Sequence, residues 1–292
     1  MFLYLESALI TSADTTGIGF STAQEIVRMG ATVVMACRSK DKAMAARQAI
    51  LDNTHCSQAQ VRFIPLDLCS MTSVRSFVES FTALRLPLHC LINNAGMMNP
   101  ERYTTADGFE MVLTANHLGH FLLTNLLMDH LEKTVTSRVV VLSSALHHLP
   151  KFFNFENMMF EKDYHLFGTY GHSKLANLLF ARELNTRLRQ RNSKVTVNAL
   201  HPGCVITEFT RSLHVVIRIA YALLYPVVRL FQKIPLQGAY CSIFAATSPR
   251  MEGISGQYLF HCTPYPITAA AQSDKDAKRL WEESLKLTGL KD

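Results

Sequence analysis

The chain has 292 residues, of which 48% are hydrophobic and 18% charged, and it carries a formal net charge of +6. That balance excludes a disordered polymer, and without any long Lys/Arg run it excludes a nucleic-acid partner, leaving at most a mild pull toward anionic lipid or a phosphorylated cofactor. Seven cysteines (Cys37, Cys56, Cys69, Cys90, Cys204, Cys241, Cys262) without C-x-x-C spacing, and twelve histidines without H-E-x-x-H, argue against a disulfide framework or a metal site and for a reducing compartment.

An apolar run at 5–11 predicts a strand. No basic-then-apolar leader precedes it, so no cleaved signal is expected. Gly17, Ile18 and Gly19 follow and open a helix at 21–29. Glycines there let the backbone approach a pyrophosphate, whose charge suits the helix N-terminus; the same pattern also serves ordinary turns. Motifs of this kind have another glycine four residues earlier. That position is Ala13 here, or Ser12 if Thr16 is an extra residue. A positive φ would strain either.

A buried strand at 31–37 ends in Arg38, Ser39 and Lys40. An acidic residue at that point binds the ribose 2′-hydroxyl, whereas an arginine accommodates a 2′-phosphate. Arg38 therefore argues for NADP(H), against the plainer reading of a surface arginine. A helix at 41–51 and a strand at 61–66 lead to Asp67, which either caps the next helix or accepts a bond from an adenine amino group. A helix at 72–84 and a strand at 89–92 lead to Asn93-Asn94-Ala95-Gly96, whose small and amide residues permit close cofactor approach or make an ordinary turn.

A long helix is expected at 109–131, then a strand at 137–143. Residues 151–167 carry Phe152, Phe153, Phe155, Phe160 and Tyr164. They read as a packed surface loop or as an apolar lip for a hydrophobic substrate, with packing slightly preferred. Tyr170 and Lys174 stand one turn apart at the head of a helix at 170–189. An ammonium beside a phenol favours phenolate and lowers its pKa from about 10. A phenol so tuned exchanges protons with an alcohol or carbonyl near neutral pH. A strand at 195–200 completes the series.

Such alternation, with continuous apolar strands, predicts one α/β domain over 1–292 with a single doubly wound parallel sheet of Rossmann type and helices on both faces. Ligands sit beyond the carboxyl ends of such strands, and every motif above falls there. The stretch 213–236 is strongly apolar, with Arg218, Arg229 and Lys233 as its cations. Its uncharged core is too short to span a bilayer. It reads as an interfacial helix with snorkelling cations or as a helix pair closing a pocket.

In order and spacing, Gly17-Ile18-Gly19, Asp67, Asn93-Asn94-Ala95-Gly96, Asn116, Ser143-Ser144, Tyr170-x-x-x-Lys174 and Pro202-Gly203 resemble the short-chain dehydrogenase/reductase family. Asn116-His-Leu-Gly-His-Phe121 and His172-Ser-Lys-Leu-Ala-Asn177 resemble its retinol-dehydrogenase-like branch. The resemblance implies an NADP(H)-dependent oxidoreductase that interconverts an alcohol and a carbonyl on a retinoid, steroid or lipid aldehyde. It implies Tyr170 as proton donor or acceptor and Lys174 as holder of the nicotinamide ribose. Ser144 would polarise the substrate oxygen, and Asn116 would hold a water that links Lys174 to solvent. Gly17, Ile18, Gly19, Asn94, Ala95, Gly96, Pro202 and Thr207 would line the cofactor.

The resemblance further implies a substrate-covering segment at 204–237 and a homodimer through 109–131 and 170–189. It places peripheral membrane contact at 213–236, on the cytoplasmic side of the endoplasmic reticulum. The abrupt start predicts a chain without the leader that relatives carry. The altered glycine position keeps a second reading open, a cofactor-poor, non-catalytic relative that binds a partner or ligand.

Overall fold

A computed structural model of the protein describes residues 5–12, 17–203, 205 and 233–291. The elements run β1 (Ser7–Thr11), α1 (Ile18–Arg28), β2 (Thr32–Cys37), α2 (Lys40–Thr54), β3 (Val61–Pro65), α3 (Met71–Ala83), β4 (Cys90–Asn93), α4 (Gly119–Leu126), α5 (Met128–Lys133), β5 (Arg138–Leu142), α6 (Leu166–Gln190), β6 (Thr196–Leu200), α7 (Pro235–Thr247), β7 (Tyr258–Phe260), β8 (Thr263–Pro264) and α8 (Asp274–Thr288).

One sheet holds the strands in the order β3-β2-β1-β4-β5-β6-β7-β8. Pairings from β3 across to β7 are parallel, as expected of a sheet covered on both faces. The edge strand β8 departs from that expectation and runs antiparallel to β7. Two residues, His261 and Cys262, connect this pair, too few for a parallel crossover. Both have positive φ, 51° and 61°, the conformation that tight hairpins favour.

Side chains alternate across the strands. Leu9, Val34, Val139 and Val197 join one buried cluster under α3, α4, α6 and α8. Ala8, Ile10, Val33 and Val140 join another under α1, α2 and α7. Period-two burial of both strand faces produces the continuous apolar runs seen in the sequence.

Three expectations are corrected. The helix expected at 109–131 is broken into Met111–Leu113, a π-helical turn at Thr114–Leu118, α4 and α5. Glu110 starts it, its carboxylate accepting the Val112 and Leu113 N–H groups at 2.7 Å each. Second, α6 begins at Leu166, so Tyr170 sits in its second turn and not at its head. Third, residues 235–237, counted in the covering segment, form the first turn of α7, where Pro235 opens a core helix. Thr207 and nearly all of 213–236 lie outside the described residues. Val205 and Lys233, the described residues on either side of 206–232, pair in a parallel bridge.

Candidate functional site

The C-terminal ends of β1, β4 and β5 meet the first half of α6. Ser143 Oγ donates to the Lys174 carbonyl at 2.8 Å, tying α6 to the end of β5. Lys174 is 2% exposed, and its ammonium donates to the Leu142 carbonyl at 3.1 Å. The same ammonium stands 5.6 Å from the centre of the Tyr170 ring. Ser144 Oγ accepts the Leu146 N–H at 3.2 Å, which leaves its own proton for the oxygen of Tyr170, to which it is hydrogen-bonded. Both hydroxyl-bearing residues are half-buried, so a ligand can reach them.

In the polypeptide alone, burial governs both titrating groups. It pushes the Tyr170 phenol up to about 12, against the smaller opposing effect of the Ser144 hydrogen bond, and pushes Lys174 down to about 8. The lowering expected from the Tyr170–Lys174 spacing is therefore not produced by these two residues by themselves. The ammonium is spent on a carbonyl, and both groups have lost water.

Asn116 lies in the π-helical turn, a feature often found at functional sites. Its Oδ1 accepts the Met97 N–H at 2.7 Å. Its Nδ2 donates to the Met97 carbonyl and to Ser173 Oγ, each at 2.9 Å. The side chain thus clamps the segment that follows Gly96 onto α6. A Cβ on Gly96 would stand 3.0 Å from Lys174 Nζ and 3.8 Å from Asn116 Oδ1. Glycine is what lets the backbone pass so close to the ammonium.

Two residues to which sequence reasoning gave no role in the site, Thr11 and His120, organise this end of the sheet. His120 is 1% exposed, and burial pushes it down to about 3, so the ring is neutral. Its Nδ1 lies 3.0 Å from the Asn116 carbonyl, which can only accept, so Nδ1 carries the proton. Nε2 must then accept the Thr11 hydroxyl at 2.9 Å. With its proton committed, Thr11 Oγ1 accepts the N–H groups of Asn94 and Ala95, each at 2.9 Å. One histidine tautomer therefore locks β1, the 94–96 turn and the π-helical turn together. The signal was present, because Asn116 and His120 are four residues apart on one helix.

The glycine turn brings α1 close against the end of β1. Gly17 has φ 97°, and Ile18 opens α1 behind it. A Cβ on Gly19 would collide with the Ser12 carbonyl oxygen and lie 2.7 Å from Asn94 Nδ2. Of the two candidates for the missing glycine, Ala13 lies outside the described residues. Ser12 has φ 56°, the left-handed conformation that a glycine would adopt freely. Asn94 Nδ2 holds this strained turn through the carbonyls of Thr11 and Ser12, at 2.8 and 3.2 Å.

Arg38 is exposed just beyond β2, and its charge reaches Cys69 across the ends of β2 and β3. Asp67 does not cap α3. Its Oδ1 closes its own turn on the Cys69 N–H at 2.9 Å, while Ser70 caps the helix. Pro202 is half-buried, its carbonyl accepting Lys233 Nζ at 3.3 Å, and Gly203 follows with φ 93°. Among the described residues, no group of three His, Cys, Asp or Glu could hold a metal ion.

The aromatic insert at 151–167 is mostly packed. Phe153 is 3% exposed and stacks on His172 at 3.9 Å. His172 Nε2 accepts the Asn154 N–H at 3.0 Å, and Tyr164 donates its hydroxyl proton to the Asn99 carbonyl at 2.8 Å. Phe152, at 65% exposure, Leu149, at 53%, and Phe167, at 47%, stand out as large apolar side chains between Ser144 and Tyr170.

A family model described as short chain dehydrogenase matches residues 6–215. A Bos taurus protein named retinol dehydrogenase 12 is 42% identical over 99% of this chain and 88% of its own length. A Homo sapiens protein named polyprenol dehydrogenase is 38% identical over 97% of this chain and 85% of its own. Among solved structures, an uncharacterized protein from Mycobacterium Paratuberculosis superposes with a TM-score of 0.76 at 31% identity, covering 98% of this chain and 94% of its own. An NADPH-bound short chain oxidoreductase from Pseudomonas aeruginosa PAO1 shares the fold, with a TM-score of 0.66 at 18% identity, covering 87% of this chain and 94% of its own.

Proposed function

The chain belongs to the short-chain dehydrogenase family, and we propose that it interconverts an alcohol and a carbonyl on a hydrophobic substrate with NADP(H) as cofactor. The observation that carries this reading is the hydrogen-bonded Tyr170–Ser144 pair, half-buried beside a buried ammonium. The positive-φ Gly17, the close-packed Gly19 and the Gly96 backbone beside Lys174 make a cradle that fits a dinucleotide. When bound, the nicotinamide supplies or removes the hydride.

The protein's own residues do the rest. In carbonyl reduction the phenol, protonated at neutral pH, gives its proton to the oxygen that gains charge. Ser144 turns its single proton from the Tyr170 oxygen to that oxygen, gives it a second hydrogen bond and stabilises the charge as it develops. In alcohol oxidation the same phenol oxygen must take the proton. Lys174 places a positive charge within reach of both the phenol and the ribose that Gly96 would admit. Exposed Arg38 supports NADP(H) over NAD(H), since its guanidinium can accept a 2′-phosphate.

The names of the relatives and the exposed Phe152 and Leu149 support a long apolar substrate such as a retinoid or a prenyl alcohol. Among the described residues, no helix is long and apolar enough to cross a membrane. Peripheral contact by the 213–236 stretch, through Arg218, Arg229 and Lys233, is the form of membrane association we propose.

The strained Ser12 favours one competing reading, a relative that binds its nucleotide poorly and acts as a binding protein. The test is a panel of retinal, steroid ketones and long-chain aldehydes with NADPH and membranes present, run beside a fluorescence titration of NADPH. Tyr170→Phe is expected to lower turnover by about 10²–10⁴-fold while NADPH still binds. Activity retained by the variant removes the proton-transfer role. Absence of NADPH binding to the wild type supports the competing reading.

A further inference from the structure

At the opposite end of the sheet from Tyr170, a cleft of about 360 Å³ opens between the starts of β5 and β6, the end of α6 and residues 252–255. Its lining includes three cations, Arg138, Arg189 and Lys194, and one carboxylate, Glu252. Arg138 and Thr196 are register partners on neighbouring strands, so their side chains leave the sheet side by side on the same face.

Arg138 is 3% exposed. Its Nη1 donates to the carbonyls of Ala245 and Ala246, each at 3.2 Å, and of Ser248 at 2.9 Å, closing the C-terminal end of α7. Its Nη2 is buried with no partner, and so is the Oγ1 of its register partner Thr196. A buried, unsatisfied donor on a charged group is costly and calls for an explanation. Glu252 acts on Arg138 through space, yet leaves Nη2 without an acceptor. Arg189 and Lys194 are exposed at the cleft mouth, and among the described residues neither makes an ion pair.

We propose that this cleft is an anion site that takes a phosphate group, free or as a small phosphomonoester, between Arg138, Thr196, Arg189 and Lys194. Nη2 and Thr196 Oγ1 are closed to solvent in the free chain, so the anion engages them only when the guanidinium and hydroxyl turn toward the cleft; a phosphate oxygen then supplies the acceptor that Nη2 lacks, and Thr196 donates to a second oxygen. Three cations against one carboxylate match a dianion. A bridging water would satisfy two atoms but leave the charge unanswered. The cleft exceeds a phosphate ion in size, which leaves room for an organic tail. Nothing in this inference depends on the proposed oxidoreductase activity.

Isothermal titration of the full chain with sodium phosphate, against sodium chloride at equal ionic strength, reads the site directly. A parallel titration with glycerol phosphate separates free phosphate from a phosphomonoester. Both are repeated with saturating NADPH, because phosphate could also enter the nucleotide cleft.

We expect one saturable site that NADPH leaves unchanged. The Arg189→Gln/Lys194→Gln double variant should bind at least about tenfold more weakly, the loss of charge-assisted bonds. Glu252→Gln should bind more tightly. Arg138→Gln is a poor probe, since Arg138 also closes α7. Thr196→Val keeps the β-branched shape, removes the hydroxyl and should weaken binding at an unchanged melting temperature. The proposal is overturned if neither anion binds saturably, if the double variant binds as the wild type does, or if NADPH abolishes binding.

Discussion

At the scale of single residues, burial and backbone conformation set the behaviour of the site. Lys174 titrates near 8 in the folded chain against 10.5 ordinarily. The unfolded chain therefore binds more protons between those values, and stability rises with pH across that window. Tyr170 titrates near 12 against 10.0, so the folded chain keeps its proton longer and stability falls above pH 10. His120, the neighbour that faces Lys174, is neutral throughout both windows. Urea midpoints should accordingly rise for the wild type relative to Lys174→Met between pH about 8 and about 10. Equal shifts in the two proteins would show that Lys174 is better solvated than its 2% exposure indicates. Ser12 makes the second case. Its φ of 56° is held by Asn94, and Ser12→Gly should raise stability by about 1 kcal/mol and tighten NADPH binding. An unchanged urea midpoint would mean that the turn stores no strain.

At the scale of elements, the site depends on how α6 is held. Ser143 and Asn116 tie it to β5 and to the segment after Gly96, and the aromatic insert packs on its first turns through His172. Phe153 and Phe152 are neighbours in sequence with opposite roles. Phe153→Ala empties a buried stack and should cost about 3–5 kcal/mol, seen as a large fall in melting temperature. Phe152→Ala removes a side chain that is 65% exposed and should change stability by less than about 0.5 kcal/mol. If Phe152 guides a hydrophobic substrate, the same variant raises KM with kcat unchanged. Unaltered KM would reduce the insert to packing alone. The sequence left both roles open, since an aromatic run has the same composition whichever way each ring points.

At the scale of the whole molecule, the doubly wound sheet gathers residues far apart in the chain at one end, where Arg38, Gly96 and Ser144 each follow a different strand and Tyr170 stands in the second turn of α6. Arg38 lies at the far side of that row from Tyr170 in chain order and acts on cofactor choice, not on proton transfer. Arg38→Asp should make NADH, and no longer NADPH, the nucleotide that raises the melting temperature more. A preference that does not move would assign the 2′-phosphate to other groups. The alternation of apolar strands and helices, and the place of the motifs at strand ends, were legible in the sequence because they follow from local periodicity. So was the Tyr170–Lys174 pairing, which needs only the pitch of one helix. The break in the helix at Thr114–Leu118, the antiparallel β8, the Thr11–His120 lock and the unpartnered Nη2 of Arg138 were not. The antiparallel β8 is a local hairpin whose two-residue turn carries no Gly or Asn to signal it, whereas the Thr11–His120 lock and the Arg138 contacts join segments about a hundred residues apart and depend on which polar atoms lose water when those segments meet. The chain order of residues determines faces and periods, whereas burial, tautomer and charge are decided only once the sheet has closed around them.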